Sequence, residues 1–171
     1  MKTRLMALAA LSSLVAACAG SGAGNPTAVA KLEAKSGSQV QGTVSFTPLG
    51  ERVRVVAEVS GLTPGQHGFH IHEAGDCSAP DASSAKGHFN PAGKAHGHHA
   101  GSEHHAGDMP NLVADAEGRA RFTADLDFSL STGPQGILGR SVVIHADPDD
   151  YQSQPAGNSG KRVACGVIAA N

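Results

Sequence analysis

Apolar and polar positions alternate with a period of two through much of this chain. In residues 39–47, Val40, Gly42, Val44 and Phe46 alternate with Gln41, Thr43, Ser45 and Thr47. In residues 52–60, Val53, Val55, Ala57 and Val59 alternate with Arg52, Arg54, Val56 and Glu58. Successive side chains on a strand point to opposite faces, so each stretch offers one face to a core. The same reading predicts strands over 28–35, 111–116, 119–126, 140–146 and 163–169, with a tight turn at Glu117 and Gly118. A further strand carries GFHIHE, preceded by SGLTPGQHG, which reads as a turn around Pro64. Its spacing puts His70 and His72 on one face and Phe69 and Ile71 on the other. Eight short strands of this kind predict an all-β domain, an eight-stranded Greek-key β-barrel or sandwich.

The periodicity stops over 73–110, far beyond the usual length of a connection, and in a compact domain such a stretch is either disordered or functional. Residues 147–161 also read as a loop. Twenty-two glycines and nine prolines in 171 residues agree with many turns in one domain. The irregular stretches and strand ends are where the chemistry collects: His70, His72, His88, His96, His105, Asp108 and His145. Imidazole is a ligand for copper and zinc alike, and carboxylate suits zinc.

The order of GFHIHE, GHFNP, HAGD, VVIHAD and RVACGVI resembles that of the bacterial copper,zinc superoxide dismutases, over roughly residues 40–169. The resemblance implies a barrel with long metal-binding and electrostatic loops, and one copper and one zinc per subunit. Copper would take His70, His72, His88 and His145; zinc would take His88, His96, His105 and Asp108. His88 would then bridge the metals and carry a proton between the half-reactions that turn two superoxide anions into dioxygen and hydrogen peroxide. Arg162 matches the arginine that holds the anion beside copper, and Asp149 the carboxylate that links a copper histidine to a zinc histidine, here His70 and His96. Lys86, Lys94 and Lys161 are weaker candidates for a positive funnel. His67, His98, His99 and His104 are not expected to be ligands of either metal. The stretch from Cys77 to His88 is longer than in the eukaryotic enzymes and that from His145 to Arg162 shorter. Eukaryotic dimer contacts therefore do not carry over, and monomer and homodimer both stay open.

Residues 1–17 read as a signal peptide, with Lys2 and Arg4 ahead of an apolar run too short for a confident membrane span. Val15-Ala16-Ala17-Cys18 resembles a lipobox, which implies lipidation of Cys18, a flexible tether over 18–27, and a domain over 28–171. Ordinary cleavage that discards Cys18 or leaves it free is the alternative. If Cys18 is lipidated, Cys77 and Cys165 remain as a pair that an oxidising periplasm would let join. Loss of the leader leaves eleven basic residues against fifteen acidic, a formal charge of −4. That balance argues against nucleic acid as a partner; the lipobox resemblance implies membrane contact through the N-terminal lipid only. The rival to an enzyme is a non-catalytic periplasmic copper/zinc buffer or chaperone. Surplus histidines favour it; Arg162 and the complete ligand set oppose it.

Overall fold

The computed structural model describes residues 27–171. The leader, Cys18 and the tether up to residue 26 lie outside the described residues. Nine strands follow one another: β1 (Ala28–Ala34), β2 (Gln41–Leu49), β3 (Arg52–Ser60), β4 (Gly65–His67), β5 (Phe69–His72), β6 (Leu112–Ala114), β7 (Ala120–Leu126), β8 (Ser141–His145) and β9 (Arg162–Ala170). They hydrogen-bond in the order β4-β6-β7-β3-β2-β1-β9-β8-β5, and the paired strands run antiparallel. The two strands at the ends of that order are consecutive in the chain, separated by Gly68 alone. The sheet must therefore curl until its edges meet, giving a nearly closed barrel. The connections β3 to β4 and β7 to β8 jump over neighbouring strands, as Greek-key topologies do.

Alternation decides what lies inside. Val44, Phe46, Val53, Val55, Ala57 and Val59 are all buried, as their period requires. At Gly42 the period of two lacks a side chain because the backbone of Glu58 passes behind it; a Cβ there would collide with the Glu58 carbonyl oxygen. Phe69 and Ile71 join Val142 and Ile144 in the main core, while Val143 and Cys165 pack on the far side of β8 and β9 with Ala82 and Ala85. The inner strands of the site thus bury both faces, one in the barrel and the other against the irregular segment 73–110.

Two sequence expectations change. The described residues form nine strands, not eight, because the stretch read as a turn contains β4, paired with β6 at Gly65–Ala114, Gln66–Val113 and His67–Leu112. It carries no apolar alternation because Gly65 and Gln66 are exposed and the buried position is a histidine. His67 is accordingly not a loop histidine: its ring nitrogens lie 2.8 Å from the carbonyl oxygens of His145 and Thr63, closing the barrel seam. Gly68, in that seam, admits no side chain, since a Cβ would stand 2.6 Å from Ser159 Oγ and 3.1 Å from His70 Cε1.

Candidate metal centre

Strand register places the first group of ligands. His70 and His72 on β5 pair with Val143 and Ser141 on β8, so both imidazoles project away from the barrel core. His145 ends β8, where the register with β9 shifts after Ile144 so that His145 faces Arg162 in place of Val163. Irregular pairing of this kind next to a functional site re-aims side chains. His88 arrives from the irregular segment and bridges to His72. The four rings offer His70 Nδ1, His72 Nε2, His88 Nε2 and His145 Nε2, all buried and all without a hydrogen-bond partner. Buried polar atoms are normally paired, so four such nitrogens converging at one place form a donor set suited to a cation. One donor atom from each of these residues lies within 4.8 Å of the others.

The second nitrogen of each strand-borne ring is spoken for. His70 Nε2 donates to Asp149 Oδ2 at 2.8 Å, His72 Nδ1 to the Lys86 carbonyl at 2.9 Å, and His145 Nδ1 to the Gly160 carbonyl at 3.3 Å. Such partners fix the tautomer and turn the lone pair inward. Burial pushes His70 down to about 4 and His145 to about 3, and holds His72 well below its ordinary value. All three are therefore neutral at pH 7, as ligation requires.

A second group, His88, His96, His105 and Asp108, adjoins the first through the other side of His88. His88 Nδ1 stands 2.8 Å from Asp108 Oδ1 and 3.3 Å from His105 Nδ1. Asp108 Oδ2 is 3.1 Å from His96 Nδ1, and Asp108 Oδ1 is 3.6 Å from His105 Nδ1. Four ligands about 2.0–2.1 Å from a tetrahedral zinc would be about 3.3 Å apart. The observed separations straddle that value. Burial would raise the Asp108 carboxyl, but hydrogen bonds from His88 and His96 overcome it and hold it far below the usual range. His96, opposed by burial yet caught between Asp108 and Asp149, is raised to about 9.

Residues 40–168 match the family described as Copper/zinc superoxide dismutase (SODC). The chain belongs to the copper/zinc superoxide dismutase family. It is 46% identical to a Superoxide dismutase [Cu-Zn] of Deinococcus radiodurans, with 95% of this chain and 94% of that protein covered. It is 40% identical to an Extracellular superoxide dismutase [Cu-Zn] of Brugia pahangi, over 84% of this chain and 75% of the other. Among solved structures, the crystal structure of the clock protein EA4 superimposes with a TM-score of 0.77 at 41% identity, covering 88% of this chain and 98% of that one. Copper and zinc are the metals of this family, and the two histidine-rich groups fit them.

Around the dismutase centre, Asp149 joins the two groups. Its Oδ1 accepts from His96 Nε2 at 2.9 Å and from the Tyr151 amide at 2.7 Å, while Oδ2 takes His70. Burial alone would raise its carboxyl, but the hydrogen bonds from His70 and His96 hold it well below the usual range. Cys77 and Cys165 form a disulfide with Cα atoms 5.7 Å apart, tying the irregular segment to β9. Arg162, half-exposed, donates to the carbonyls of Ala82 at 2.7 Å and Lys86 at 2.6 Å. The Lys86 carbonyl therefore receives both Arg162 and His72, coupling the guanidinium to the first group. Lys86 and Lys94 are occupied locally, Lys86 3.8 Å from Glu73 and Lys94 donating to the Ser102 carbonyl.

Sequence reasoning missed the supports. Asn111 brackets Asp149, donating to its carbonyl at 3.0 Å and accepting its amide at 2.9 Å. Gln154 does the same for His96, accepting its amide and donating to its carbonyl, both at 2.9 Å. Arg140 lies 3.7 Å over the Phe89 ring and donates to the Glu73 carbonyl, clamping the start of the segment that carries the ligands. None of these has a local sequence signal, because each partner comes from a distant loop.

Proposed function

We propose that this protein disproportionates superoxide with copper held by His70, His72, His88 and His145 and zinc held by His88, His96, His105 and Asp108. The observation that carries the assignment is the position of His88, whose Nε2 turns to the first group and whose Nδ1 turns to the second. Bound in the first group, copper supplies the one-electron couple by which one superoxide leaves as dioxygen and a second, with two protons, leaves as hydrogen peroxide. The chain supplies the rest. His70, His72 and His145 stay neutral and fixed, their outer nitrogens tied to Asp149 and to backbone carbonyls. His88 is the ring whose two nitrogens both face metal groups, so its Nε2 is the atom placed to take a proton in one half-reaction and release it in the other. Arg162 offers the N–H donors left over from its two carbonyl bonds to a small anion beside the first group. A closed three-histidine, one-aspartate zinc site has no open position, so its part is to hold His88 and neutralise Asp108.

The anchored guanidinium beside the first group is what a metal buffer does not need, and it favours the enzyme. The test is superoxide decay with protein loaded with both metals, beside His145→Ala and Arg162→Ala. We expect fast decay for the parent, loss of copper and activity for His145→Ala, and a slower reaction at full metal content for Arg162→Ala. Full metal content with no decay would favour the buffer. Residues 1–17 are proposed as an export leader and Cys18 as the lipidated first residue of a periplasmic protein tethered by 18–27. The disulfide and the poor membrane permeability of the superoxide anion support that placement. Palmitate labelling that Cys18→Ser leaves intact would contradict it.

A further inference from the structure

His96 belongs to the second group yet stands where the chain has no regular structure. The other members are tied to the barrel or to one another. His88 and Asp108 form backbone bridges to His72 and His70 of β5, and the His105 amide donates to Asp108 Oδ2 at 2.8 Å. The main chain of His96 is held differently. Its amide donates to Gln154 Oε1 and its carbonyl accepts from Gln154 Nε2, both at 2.9 Å. A neighbouring strand would offer the same pair of bonds; here one side chain supplies both.

Gln154 can serve as a fixed partner because the loop that carries it is braced from within. Asp150 accepts the amides of Gln152 at 2.9 Å and Ser153 at 2.8 Å, and the Ser153 hydroxyl at 2.6 Å. The Asp150 amide donates to the Gly157 carbonyl at 3.0 Å, and the Gly157 amide to the Ser153 carbonyl at 2.7 Å. The same loop carries Asp149, whose Oδ1 accepts His96 Nε2 at 2.9 Å. Gly157 packs against that bond so closely that a Cβ would collide with Asp149 Oδ1. Residues 147–161 include no member of either group, yet they hold His96 by its amide, its carbonyl and its ring.

With Nε2 taken by Asp149, the buried Nδ1 is the nitrogen left for a cation, 3.1 Å from Asp108 Oδ2. Nδ1 is bonded to Cγ, the ring atom that carries Cβ, so a shift of the main chain reaches it directly. Asp149 grips the far side of the ring and does not correct such a shift. We propose that Gln154 is a positioning residue of the second group: by fixing the main chain of His96 it sets where Nδ1 stands against Asp108, and so how tightly that group holds zinc. The clamp is a matter of hydrogen bonds on the chain itself; its effect on zinc rests on the reading of the second group as the zinc site. Copper should feel little of it, because three of the first group's histidines are carried by β5 and β8.

The test titrates zinc into the zinc-free, copper-loaded full chain against a chromophoric chelator, for the parent, Gln154→Ala and Gln152→Ala. Gln154→Ala should bind zinc about tenfold more weakly, with copper affinity unchanged. Gln152→Ala, an exposed position in the same loop, should match the parent for both metals. Cobalt(II) bound in place of zinc should show altered visible absorption in Gln154→Ala alone, because those bands report coordination geometry and a mere loss of fold stability would leave them in place. Parent-like zinc affinity in Gln154→Ala, an equal loss for copper, or the same loss in Gln152→Ala overturns the proposal. Hydrogen exchange at the His96 amide in metal-free protein reads the clamp without a metal: it should be slow in the parent and faster in Gln154→Ala, and equal rates overturn the clamp. A parent that binds neither zinc nor cobalt in the second group defeats the reading of that group and the proposal with it; slow His96 exchange in that same parent would place the failure in the metal reading and not in the clamp.

Discussion

Replacing Asp149 by alanine separates the two metals. The buried carboxylate accepts His70 Nε2 at 2.8 Å and His96 Nε2 at 2.9 Å, so the substitution removes one charge-assisted hydrogen bond from each group. Such a bond contributes roughly 1.5–3 kcal/mol, equivalent to roughly 10- to 150-fold in affinity if all of it is felt by the metal. The two histidines do not feel it equally. His70 is locked in β5 by its pairing with Val143, and its ring stacks on His88 with centroids 4.0 Å apart. His96 lies in a segment without regular structure, beside Gly97, with Gln154 holding its backbone. Without Asp149, the His96 ring has no other partner for Nε2 and is free to turn. Zinc affinity should therefore fall by about one to two orders of magnitude and copper affinity by much less. Competition with chromophoric chelators, one metal at a time, measures both. Unchanged zinc affinity, or a copper loss as large as the zinc loss, refutes the reasoning.

Cys77 and Cys165 are 88 residues apart, so on the chain-entropy model their bond is worth roughly 4–5 kcal/mol. Cys77→Ser should lower the urea midpoint accordingly and also slow superoxide decay, because the carbonyls of Ala82 and Lys86 that hold Arg162 lie in the released segment; unaltered activity would show that Arg162 is held without it. In metal-free protein His70 and His145 are lowered to about 4 and about 3, so as pH falls through about 6.5 the unfolded chain takes up protons that the folded chain refuses. The stability contributed by these two rings is thus fully present above about pH 6.5 and is lost on acidification toward about pH 3, a loss on the order of several kcal/mol, whereas the contribution of His96, raised to about 9, is fully present below about pH 6.5 and is lost as pH rises through about 9. Urea midpoints that stay flat or rise between about pH 7 and about pH 5 would contradict it. The segment 73–110 carries His88, His96, His105 and Asp108 of the two groups, so limited proteolysis should cut it faster in metal-free protein than in metal-loaded protein; equal rates would show that the disulfide and the backbone hydrogen bonds suffice.

The strands that bury one clean face were legible from the chain. Val53, Val55, Ala57 and Val59 in β3 follow a period of two because one side of β3 meets the core and the other meets water. The rule fails where neither side is apolar: β4 buries a histidine and exposes Gly65 and Gln66, and hydrogen bonds from a distant strand and turn, not apolar burial, hold it in place. Phe69, His70, Ile71 and His72 in β5 are all buried, yet alternate residues face a hydrocarbon core and an imidazole cluster. Periodicity reports that difference of face while remaining silent on burial.

The side chains that converge in the two groups were legible for a related reason, since residues of metal-binding type are rare and must recur, but which nitrogen of each ring faces inward was not. That choice is made outside the ligand set. The carbonyls of Lys86 and Gly160 and the carboxylate of Asp149 each claim one nitrogen of His72, His145 and His70, and leave the other to the cavity. Lys86 shows why no sequence pattern encodes this: its carbonyl can receive both His72 Nδ1 and Arg162 because the backbone there takes φ 62, at the end of the short turn Ser83–Ala85 that the disulfide holds against β9. The orientation of a ligand on β5 and of the guanidinium on β9 therefore depend on one backbone oxygen in a loop. A change that straightens residue 86 should disturb both at once, whereas a change to the lysine side chain, which reaches only toward Glu73, should disturb neither.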